Sequence, residues 1–255
     1  MSRALKLVAR SRGDLPLYDL DDVRDYGLDV VVTTRHGGVS AAPYASLNLA
    51  DHVGDDGVAV AENRRRVAHA LAVPAPSLVV ATQVHGNVVN DVDDWSGGAL
   101  VGDALVATRD DVALAVLVAD CVPLLILDPR GPRFALVHAG WRGLAEGIIP
   151  ATLAHFARVG ELLVVIGPRI SPASYQVGPE VATSFESIPG ACREDVGDRR
   201  RLDLGVIAQH QLLAHGVPSE NVLVAGAMTD GGGEFYSDRA ARPSGRFALV
   251  ARRTS

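Results

Sequence analysis

Two neighbouring stretches of sequence decide the fold of this chain: residues 113–127, ALAVLVADCVPLLIL, and residues 134–143, FALVHAGWRG. The first stretch is apolar except for one aspartate, and Pro123 interrupts it, so it predicts two buried strands, Ala113–Ala119 and Pro123–Leu127. The run is broken too early for a membrane span, which needs about 20 apolar residues. The pattern therefore favours the interior of a folded domain.

A tight turn is predicted at residues 128–132, DPRGP, because aspartate, proline and glycine favour hairpin-like turns. The chain then returns as a strand over Phe134–His138. This arrangement places Cys121 and His138, 17 residues apart in sequence, on neighbouring strands. A second imidazole, His85, lies upstream, directly after a predicted strand over Ser77–Thr82.

Cys121, His85 and His138 are candidate functional residues with two possible chemistries. One thiolate and two imidazoles suit zinc with an open fourth position. The same cysteine and a histidine also suit a thiolate nucleophile and its general base. The residues alone leave both alternatives open.

The segment Gly140-Trp141-Arg142-Gly143 follows His138 and opens a predicted helix. Glycine permits close backbone approach, the first N–H groups of a helix favour anions, and Arg142 suits a phosphate or carboxylate. The segment therefore predicts an oxyanion or phosphate site beside a ligand histidine. The alternative is a tight strand-to-helix connection in which Trp141 fills the core.

Asp120 precedes Cys121 in an otherwise apolar run, where a carboxylate is costly unless it is paired or hydrogen-bonded. We expect it to orient a histidine from outside the ligand shell or to pair with Arg142. The alternative is an exposed residue at the end of a strand.

Composition narrows the class of protein. The 255 residues are 48% hydrophobic and 21% charged, which is enough apolar material for a substantial core. A net charge of −6 argues against nucleic-acid or anionic-membrane binding. Two cysteines make no disulfide framework, and no apolar run near the N-terminus resembles a signal peptide. We therefore expect a cytoplasmic protein, and the lack of a coiled-coil pattern predicts a monomer.

The rest of the chain mixes helices and strands. In chain order the patterns predict a strand at Leu28–Thr34, a helix at Ala59–Leu71, a strand at Asn87–Val92, a helix at Leu144–Arg158 with a kink near Pro150, a strand at Leu162–Ile166, helices at Glu180–Ser187 and Leu204–His215, and strands at Val222–Ala225 and Arg246–Ala251. Strict strand–helix alternation fails over residues 77–138, which disfavours a doubly wound parallel sheet. We predict an α/β (α+β) fold, a single mixed-sheet domain over residues 1–255.

An ordered set of motifs carries a resemblance to a known family. The segments are residues 34–40 (TRHGGVS), 46–49 (SLNL), 52–55 (HVGD), 83–86 (QVHG), 103–106 (DALV), 119–124 (ADCVPL), 138–144 (HAGWRGL), 166–168 (IGP), 175–178 (YQVG), 235–237 (FYS) and 245–246 (GR). Together they resemble the multicopper polyphenol oxidase, or laccase-domain, family of YfiH-like proteins. Members of this family are also described as purine nucleoside phosphorylases and as a peptidoglycan editing factor. The resemblance covers nearly the whole chain from about Val30.

The resemblance implies a single-domain sandwich similar to the YfiH-like, cysteine-hydrolase-like fold. It implies a zinc ion held by His85, Cys121 and His138, with copper as the less favoured metal. It also implies phosphorolysis of purine nucleosides (adenosine, inosine or methylthioadenosine) and deamination of adenosine. Arg35 and Asn48 match motif positions expected near the substrate.

We place Arg142 at the phosphate and count Asp120 with the substrate-binding residues. The small-molecule partners are then a purine nucleoside and phosphate.

The chain departs from the family pattern at two positions. Many relatives have cysteine where this sequence has Arg169 and Met228, and no His-x-His pair is present to build a trinuclear copper cluster. Both departures disfavour polyphenol oxidase activity. Arg169 either adds positive charge near the pocket or is a solvated loop residue.

Two further functional hypotheses stay open. One is a cysteine-type hydrolase that removes a wrongly added amino acid from a peptidoglycan precursor, with Cys121 as nucleophile and His138 or His85 as base. The other is a metal-holding or partner-binding protein without turnover.

Overall fold

Two β-sheets stacked face to face form the centre of the structure, a computed structural model that describes residues 2–230 and 233–254. The strands are β1 (Arg3–Leu5), β2 (Val8–Arg12), β3 (Leu15–Asp19), β4 (Leu28–Thr33), β5 (Leu78–Val80), β6 (Val89–Asp91), β7 (Ala104–Ala107), β8 (Ala113–Val118), β9 (Val122–Leu127), β10 (Phe134–Ala139), β11 (Leu163–Ile166), β12 (Gln176–Val177), β13 (Cys192–Glu194), β14 (Arg200–Leu202), β15 (Val222–Ala225) and β16 (Phe247–Arg253). The α-helices are α1 (Gly57–Ala70), α2 (Trp141–Glu146), α3 (Ile148–Leu153), α4 (Pro179–Ala182) and α5 (Leu204–Ala214). Short 3-10 helices span Asp21–Tyr26, Ala75–Ser77, Val159–Glu161 and Ser219–Asn221.

The two large sheets are both mixed. The seven-stranded sheet has the order β1-β15-β11-β9-β10-β7-β6, and the six-stranded sheet has the order β2-β3-β4-β16-β8-β5. A three-stranded sheet, β12-β14-β13, lies beside them. The central pairs β9–β10 and β8–β16 are antiparallel, whereas β5–β8 and β6–β7 are parallel. The predicted mixed-sheet sandwich is confirmed.

The apolar runs of the central strands reflect burial on both faces. In β9, Leu125 and Leu127 pack between the two sheets, whereas Leu124 and Ile126 pack on the opposite face against α2, α3 and α5. In β8 the same alternation sends one face between the sheets and the other toward α1. A strand that is covered on both sides has no face in contact with solvent, which explains the continuous hydrophobic sequence.

Helices cover the outer faces and give the molecule four layers. Helix α1 begins where the Asp56 carboxylate accepts a hydrogen bond from the backbone N–H of Val58. Its buried face, with Val67 and Ala68, packs on the six-stranded sheet. None of the helices in residues 2–230 and 233–254 is long and apolar enough to cross a membrane.

The predicted helix at Leu144–Arg158 is wrong in its boundaries. The break lies at Gly147, whose φ of 84° is left-handed backbone, and not at Pro150. Pro150 falls in the first turn of α3, where a missing N–H removes no helical hydrogen bond. The helix that follows ends at Leu153.

Several elements were not predicted. The helix predicted at Glu180–Ser187 is regular only over Pro179–Ala182. Strands β1–β3, β7 and β12–β14 were missed, and all of them are two to five residues long. Such short segments carry too few residues for a periodic pattern, and pairing with other strands stabilises them.

Candidate active site

Cys121 lies where the chain crosses from one large sheet to the other. Strand β8 belongs to the six-stranded sheet and ends at Val118, and β9 belongs to the seven-stranded sheet and begins at Val122. The three connecting residues must therefore turn sharply, and Asp120 adopts a φ of 90°, which is uncommon for a residue with a side chain. The crossing leaves the Cys121 side chain half-buried at the end of the sandwich.

The register of the β9–β10 hairpin brings His138 to Cys121. His138 pairs with Pro123, and Ala139 pairs with Val122, so the end of β10 lies beside the start of β9. The sequence spacing of 17 residues corresponds to this hairpin and its turn. His138 is buried, whereas His85 is exposed on the loop between β5 and β6.

Asp103 holds the two histidines in place. One carboxylate oxygen accepts hydrogen bonds from His138 Nδ1 (2.8 Å) and from the backbone N–H of His85 (2.9 Å). The other accepts from the backbone N–H groups of Val84 (3.2 Å) and Gly86 (2.8 Å). The Asp103 side chain is fully buried, and its carbonyl oxygen also accepts from the His138 backbone N–H (2.7 Å). The loop that carries His85, whose own φ is 61°, is therefore wrapped around a single carboxylate.

Asp103 was missed as a functional residue. The available signal was an acidic residue directly before a short apolar segment, within the quoted motif at residues 103–106. Burial raises the pKa of Asp103, but its hydrogen bonds with His138 and the loop N–H groups outweigh burial, and the pKa is lowered. Asp103 therefore remains a carboxylate and directs the Nδ1 proton of His138 toward itself, which leaves Nε2 free.

The three predicted residues come together. The ligand atoms of His85, Cys121 and His138 all lie within 4.8 Å of one another, and the two imidazole rings meet edge to face with centroids 4.7 Å apart. It is the one group of three or more such side chains with suitable spacing in residues 2–230 and 233–254. Two imidazole nitrogens and a thiolate are a donor set that zinc prefers, and three protein ligands are typical of sites with an open position.

The electrostatics favour a charged pair when no metal is bound. Burial disfavours the thiolate of Cys121, but His138 and His85 outweigh burial and lower its pKa to about 6. Burial disfavours the imidazolium of His138, but Cys121 and Asp103 outweigh it and raise its pKa to about 9. At neutral pH the metal-free pair is therefore a thiolate beside an imidazolium, a reactive arrangement for a cysteine.

Glycine at position 140 keeps the cluster open. A Cβ atom there would lie 3.0 Å from both Cys121 Sγ and His85 Cδ2. A Cβ at Gly143 would lie 2.8 Å from the carbonyl oxygen of Gly86, so α2 approaches the His85 loop too closely for a side chain. The predicted role of these glycines in close backbone approach is confirmed.

A cavity of about 310 Å³ opens onto the cluster, at the lower end of the range of about 300–1,000 Å³ for small-molecule sites. Its lining is mixed aromatic, cationic and polar, and consists of His52, Gln83, His85, Leu117, Ala119, Asp120, Cys121, His138, Trp141, Arg142, Tyr175, Asp238, Arg239, Arg242 and Arg246. Four arginines face two carboxylates in this wall, so the cavity favours an anionic ligand.

Two of these arginines stack on aromatic rings. The Arg142 guanidinium lies 4.3 Å from the ring centroid of Trp141, and the Arg239 guanidinium lies 5.0 Å from that of Tyr175. Trp141 is half-buried at the cavity wall and also packs against the helix-side core. Helix α2 is therefore a tight strand-to-helix connection, and it also presents Arg142 to the cavity. The phosphate site at this segment stays a prediction.

The two expected partners of Asp120 are replaced by others. Its carboxylate oxygens accept hydrogen bonds from the Thr229 hydroxyl (2.6 Å) and the Arg239 backbone N–H (2.7 Å). Asp103 instead orients the histidine, and Arg142 stacks on Trp141. Asp120 is buried and lines the cavity, and its hydrogen bonds also link the loops that carry Thr229 and Arg239.

Arg35 and Asn48 lie outside the cavity lining. Arg35 donates to the carbonyl oxygen of Ala45 and lies over the Tyr236 ring. Asn48 is fully buried and accepts a hydrogen bond from the backbone N–H of Arg246 (2.9 Å), whose side chain does line the cavity. The structure therefore places these two predicted substrate-binding residues outside the cavity that opens onto the His–Cys–His cluster, and their role stays a prediction.

Arg169 matches neither of its expected positions. It is buried, and its guanidinium donates to the carbonyl oxygens of Gly167 and Ala225. It forms an isolated β-bridge with Met228, so the two positions that depart from the family pattern are paired in space. His52, on a loop rich in polar residues, also lines the cavity.

The fold and the site define a two-sheet α/β protein with a His–Cys–His cluster at the crossing between its sheets. Over residues 29–254 the sequence matches the family described as multi-copper polyphenol oxidoreductase laccase, and the chain belongs to this family.

Relatives and solved structures agree with this assignment. A purine nucleoside phosphorylase of Pseudomonas aeruginosa is 40% identical over 233 residues, which cover 86% of this chain and 90% of that protein. The purine nucleoside phosphorylase YlmD of Geobacillus stearothermophilus is 37% identical over 214 residues, which cover 76% of this chain and 78% of YlmD. The crystal structure of YlmD matches with a TM-score of 0.89 at 33% identity and covers 98% of this chain and 100% of its own. The YfiH protein of Bacillus licheniformis gives a TM-score of 0.89 at 26% identity, over 97% of this chain and 99% of that one.

Proposed function

We propose that this protein is a zinc-dependent purine nucleoside phosphorylase that also deaminates adenosine. The proposal is supported by relatives named purine nucleoside phosphorylase that cover most of the chain. The observation that carries it is that the His85–Cys121–His138 cluster and Arg142 line the same cavity. Adenosine, inosine and methylthioadenosine are the candidate nucleosides.

Zinc would be held by His85, Cys121 and His138. When bound, it would supply a Lewis acid that polarises an oxygen and lowers the pKa of a bound water toward about 7. Asp103 keeps the His138 tautomer that offers Nε2, and it holds the His85 loop against the cluster. The donor set and the single cluster favour zinc over the several coppers of a laccase.

Arg142 would bind the phosphate. Phosphorolysis needs an anion held close to the anomeric carbon, and a positioned cation does this by orientation and charge. The Arg142 side chain is exposed toward the cavity, stacked on Trp141, and within the described part of the chain it forms no ion pair with a carboxylate. Its charge is therefore available to a ligand.

The direct test measures phosphate-dependent release of hypoxanthine from inosine, with zinc content determined on the same sample. We expect release that requires phosphate and about one zinc per chain, and the loss of both in Cys121→Ala. Cys192→Ala is the matched control, because Cys192 is the other free cysteine and lies on β13, outside the cavity lining. No release from the wild type, or unchanged release from Cys121→Ala, would contradict the proposal.

A second candidate function is favoured by one observation. Asp103, His138 and Cys121 form an ordered series of carboxylate, imidazole and thiol, as in a cysteine hydrolase. In this alternative, Cys121 attacks an amide carbonyl of a peptidoglycan precursor and His138 gives its proton to the leaving amine. Intact-mass analysis with a nucleotide-linked muramyl substrate separates the two, because only the hydrolase accumulates an acyl adduct on Cys121.

A further inference from the structure

Tyr175 lines the cavity with a hydroxyl group that has no hydrogen-bond partner in residues 2–230 and 233–254. Its backbone is fixed just before β12, because its N–H donates to the carbonyl of Pro172 and its carbonyl accepts from the N–H of Leu202. The residue is half-buried and packs against the helix-side core. A held ring thus presents an unpaired phenol to the cavity.

Two other tyrosines of the chain pair their hydroxyls with backbone carbonyl oxygens. The Tyr44 hydroxyl donates to the carbonyl oxygen of Val53 (2.6 Å), and the Tyr236 hydroxyl donates to that of Tyr44 (2.6 Å). A tyrosine that buries its ring normally pairs its hydroxyl, because an unpaired polar group away from bulk water is costly. The Tyr175 hydroxyl is not a buried unpaired atom, so it is open to the cavity and available to a ligand.

The charges around Tyr175 suit donation of a hydrogen bond. The Arg239 guanidinium lies 5.0 Å from the ring centroid and is held there by its hydrogen bond to the carbonyl oxygen of Gln176 (2.7 Å). A cation over the ring polarises the phenol O–H and makes it a better donor. Burial of the ring disfavours a phenolate and raises the pKa of Tyr175, so the hydroxyl keeps its proton.

We propose that Tyr175 donates a hydrogen bond to the purine base of the nucleoside and stabilises the negative charge that develops on it. This inference rests on the proposed phosphorylase function and assigns a residue to the leaving group. As phosphate oxygen forms its bond to C1′, the C1′–N9 bond breaks and its electron pair moves to the purine. The phenol keeps its proton throughout, and the released purine anion takes a proton from water.

The test compares inosine with 7-methylinosine in Tyr175→Phe. The substitution removes only the hydroxyl and keeps the ring beneath Arg239, so the fold and melting temperature should not change. Inosine leaves as an anion and needs the donor, and its kcat should fall about 100-fold, as expected for one lost donor to a developing charge. The base of 7-methylinosine already carries a positive charge and leaves neutral, so its kcat should stay within about twofold. Tyr26→Phe, on an exposed 3-10 helix, is the matched control.

The outcomes distinguish a failure of this inference from a failure of the proposed phosphorylase function. Selective loss with inosine, at an unchanged KM for phosphate, supports the role of Tyr175. An equal loss of kcat with both nucleosides shows that Tyr175 has a structural role, and unchanged turnover of inosine shows that it has none. Either result overturns the inference, while the phosphorylase function stands. Wild-type protein without phosphate-dependent release overturns the proposed function and this inference with it.

Discussion

Replacing Asp103 with asparagine should weaken both the fold and the candidate metal site, because one carboxylate accepts four hydrogen bonds there. Asparagine keeps the shape but replaces one oxygen with an NH₂ donor. If the NH₂ group takes the position facing Val84 and Gly86, two backbone N–H groups lose their acceptor. If it takes the other position, it opposes the N–H of His85 and favours the wrong tautomer of His138.

The magnitude follows from the bonds that are lost. A hydrogen bond to a charged group contributes about 1.5–3 kcal/mol, so losing two should lower the free energy of unfolding by about 3–6 kcal/mol. Removing a residue that orients a metal-bound histidine typically costs about 10–100-fold in metal affinity. Urea unfolding of the metal-free proteins measures the first effect, and zinc competition with a chromophoric chelator measures the second.

Asp111→Asn is the matched control for this experiment. The Asp111 side chain is 64% exposed and pairs with Arg109. Exposed ion pairs contribute about 0–1 kcal/mol, so this variant should unfold and bind zinc almost as the wild type does. If Asp103→Asn behaved like Asp111→Asn in both assays, Asp103 would not be what holds the His85 loop and the His138 tautomer.

Two further predictions follow from contacts elsewhere in the structure. Gly140→Ala should fold normally, because the backbone at Gly140 is extended (φ −80°). Its Cβ should crowd Cys121 and lower the zinc affinity about tenfold, which zinc competition will measure. Gly57→Ala, whose Cβ meets nothing within 4 Å, should bind zinc normally, and equal affinities in the two variants would refute the crowding. Asp29→Asn should destabilise the protein by about 1–3 kcal/mol near neutral pH, because Asp29 accepts two hydrogen bonds from Arg12. Burial raises the pKa of Asp29, but Arg12 outweighs it and the pKa is lowered, so this stability is present above about pH 4 and is lost as pH falls through the folded-state pKa. Urea unfolding at several pH values would contradict this if the difference between variant and wild type persisted in acid.

The candidate site shows which features local sequence can predict. Cys121, His85 and His138 stood out because each is a reactive side chain at the end of an apolar segment, and the spacing of two of them matched a hairpin. Asp103 and Tyr175 did not stand out, because their roles depend on atoms far away in sequence. The partner of Asp103 on β10 is 35 residues away, and the cavity is built from the segment of Tyr175 and five others.

The substrate-binding roles of Arg35 and Asn48 stay predictions. Arg35 and Asn48 were chosen from motif positions, and the structure places one beside the Tyr236 ring and the other beneath the Arg246 backbone. A motif records that a residue type recurs, but it does not show whether that residue faces a ligand or supports the wall behind it. Asp120 lies between these cases, because it lines the cavity while its oxygens bind protein donors.

The sequence by itself determined the central strands, the hairpin and the identity of the three clustered side chains. These features depend on hydrophobic periodicity and turn chemistry, which act over a few neighbouring residues. Only the tertiary structure decided which carboxylate serves His138, which aromatic ring carries a free hydroxyl, and where the helix after Gly140 breaks. Those outcomes depend on hydrogen bonds and packing between segments that meet only after the two sheets have stacked. A local sequence pattern does not predict the free energy of such contacts, because their partners are distant in sequence.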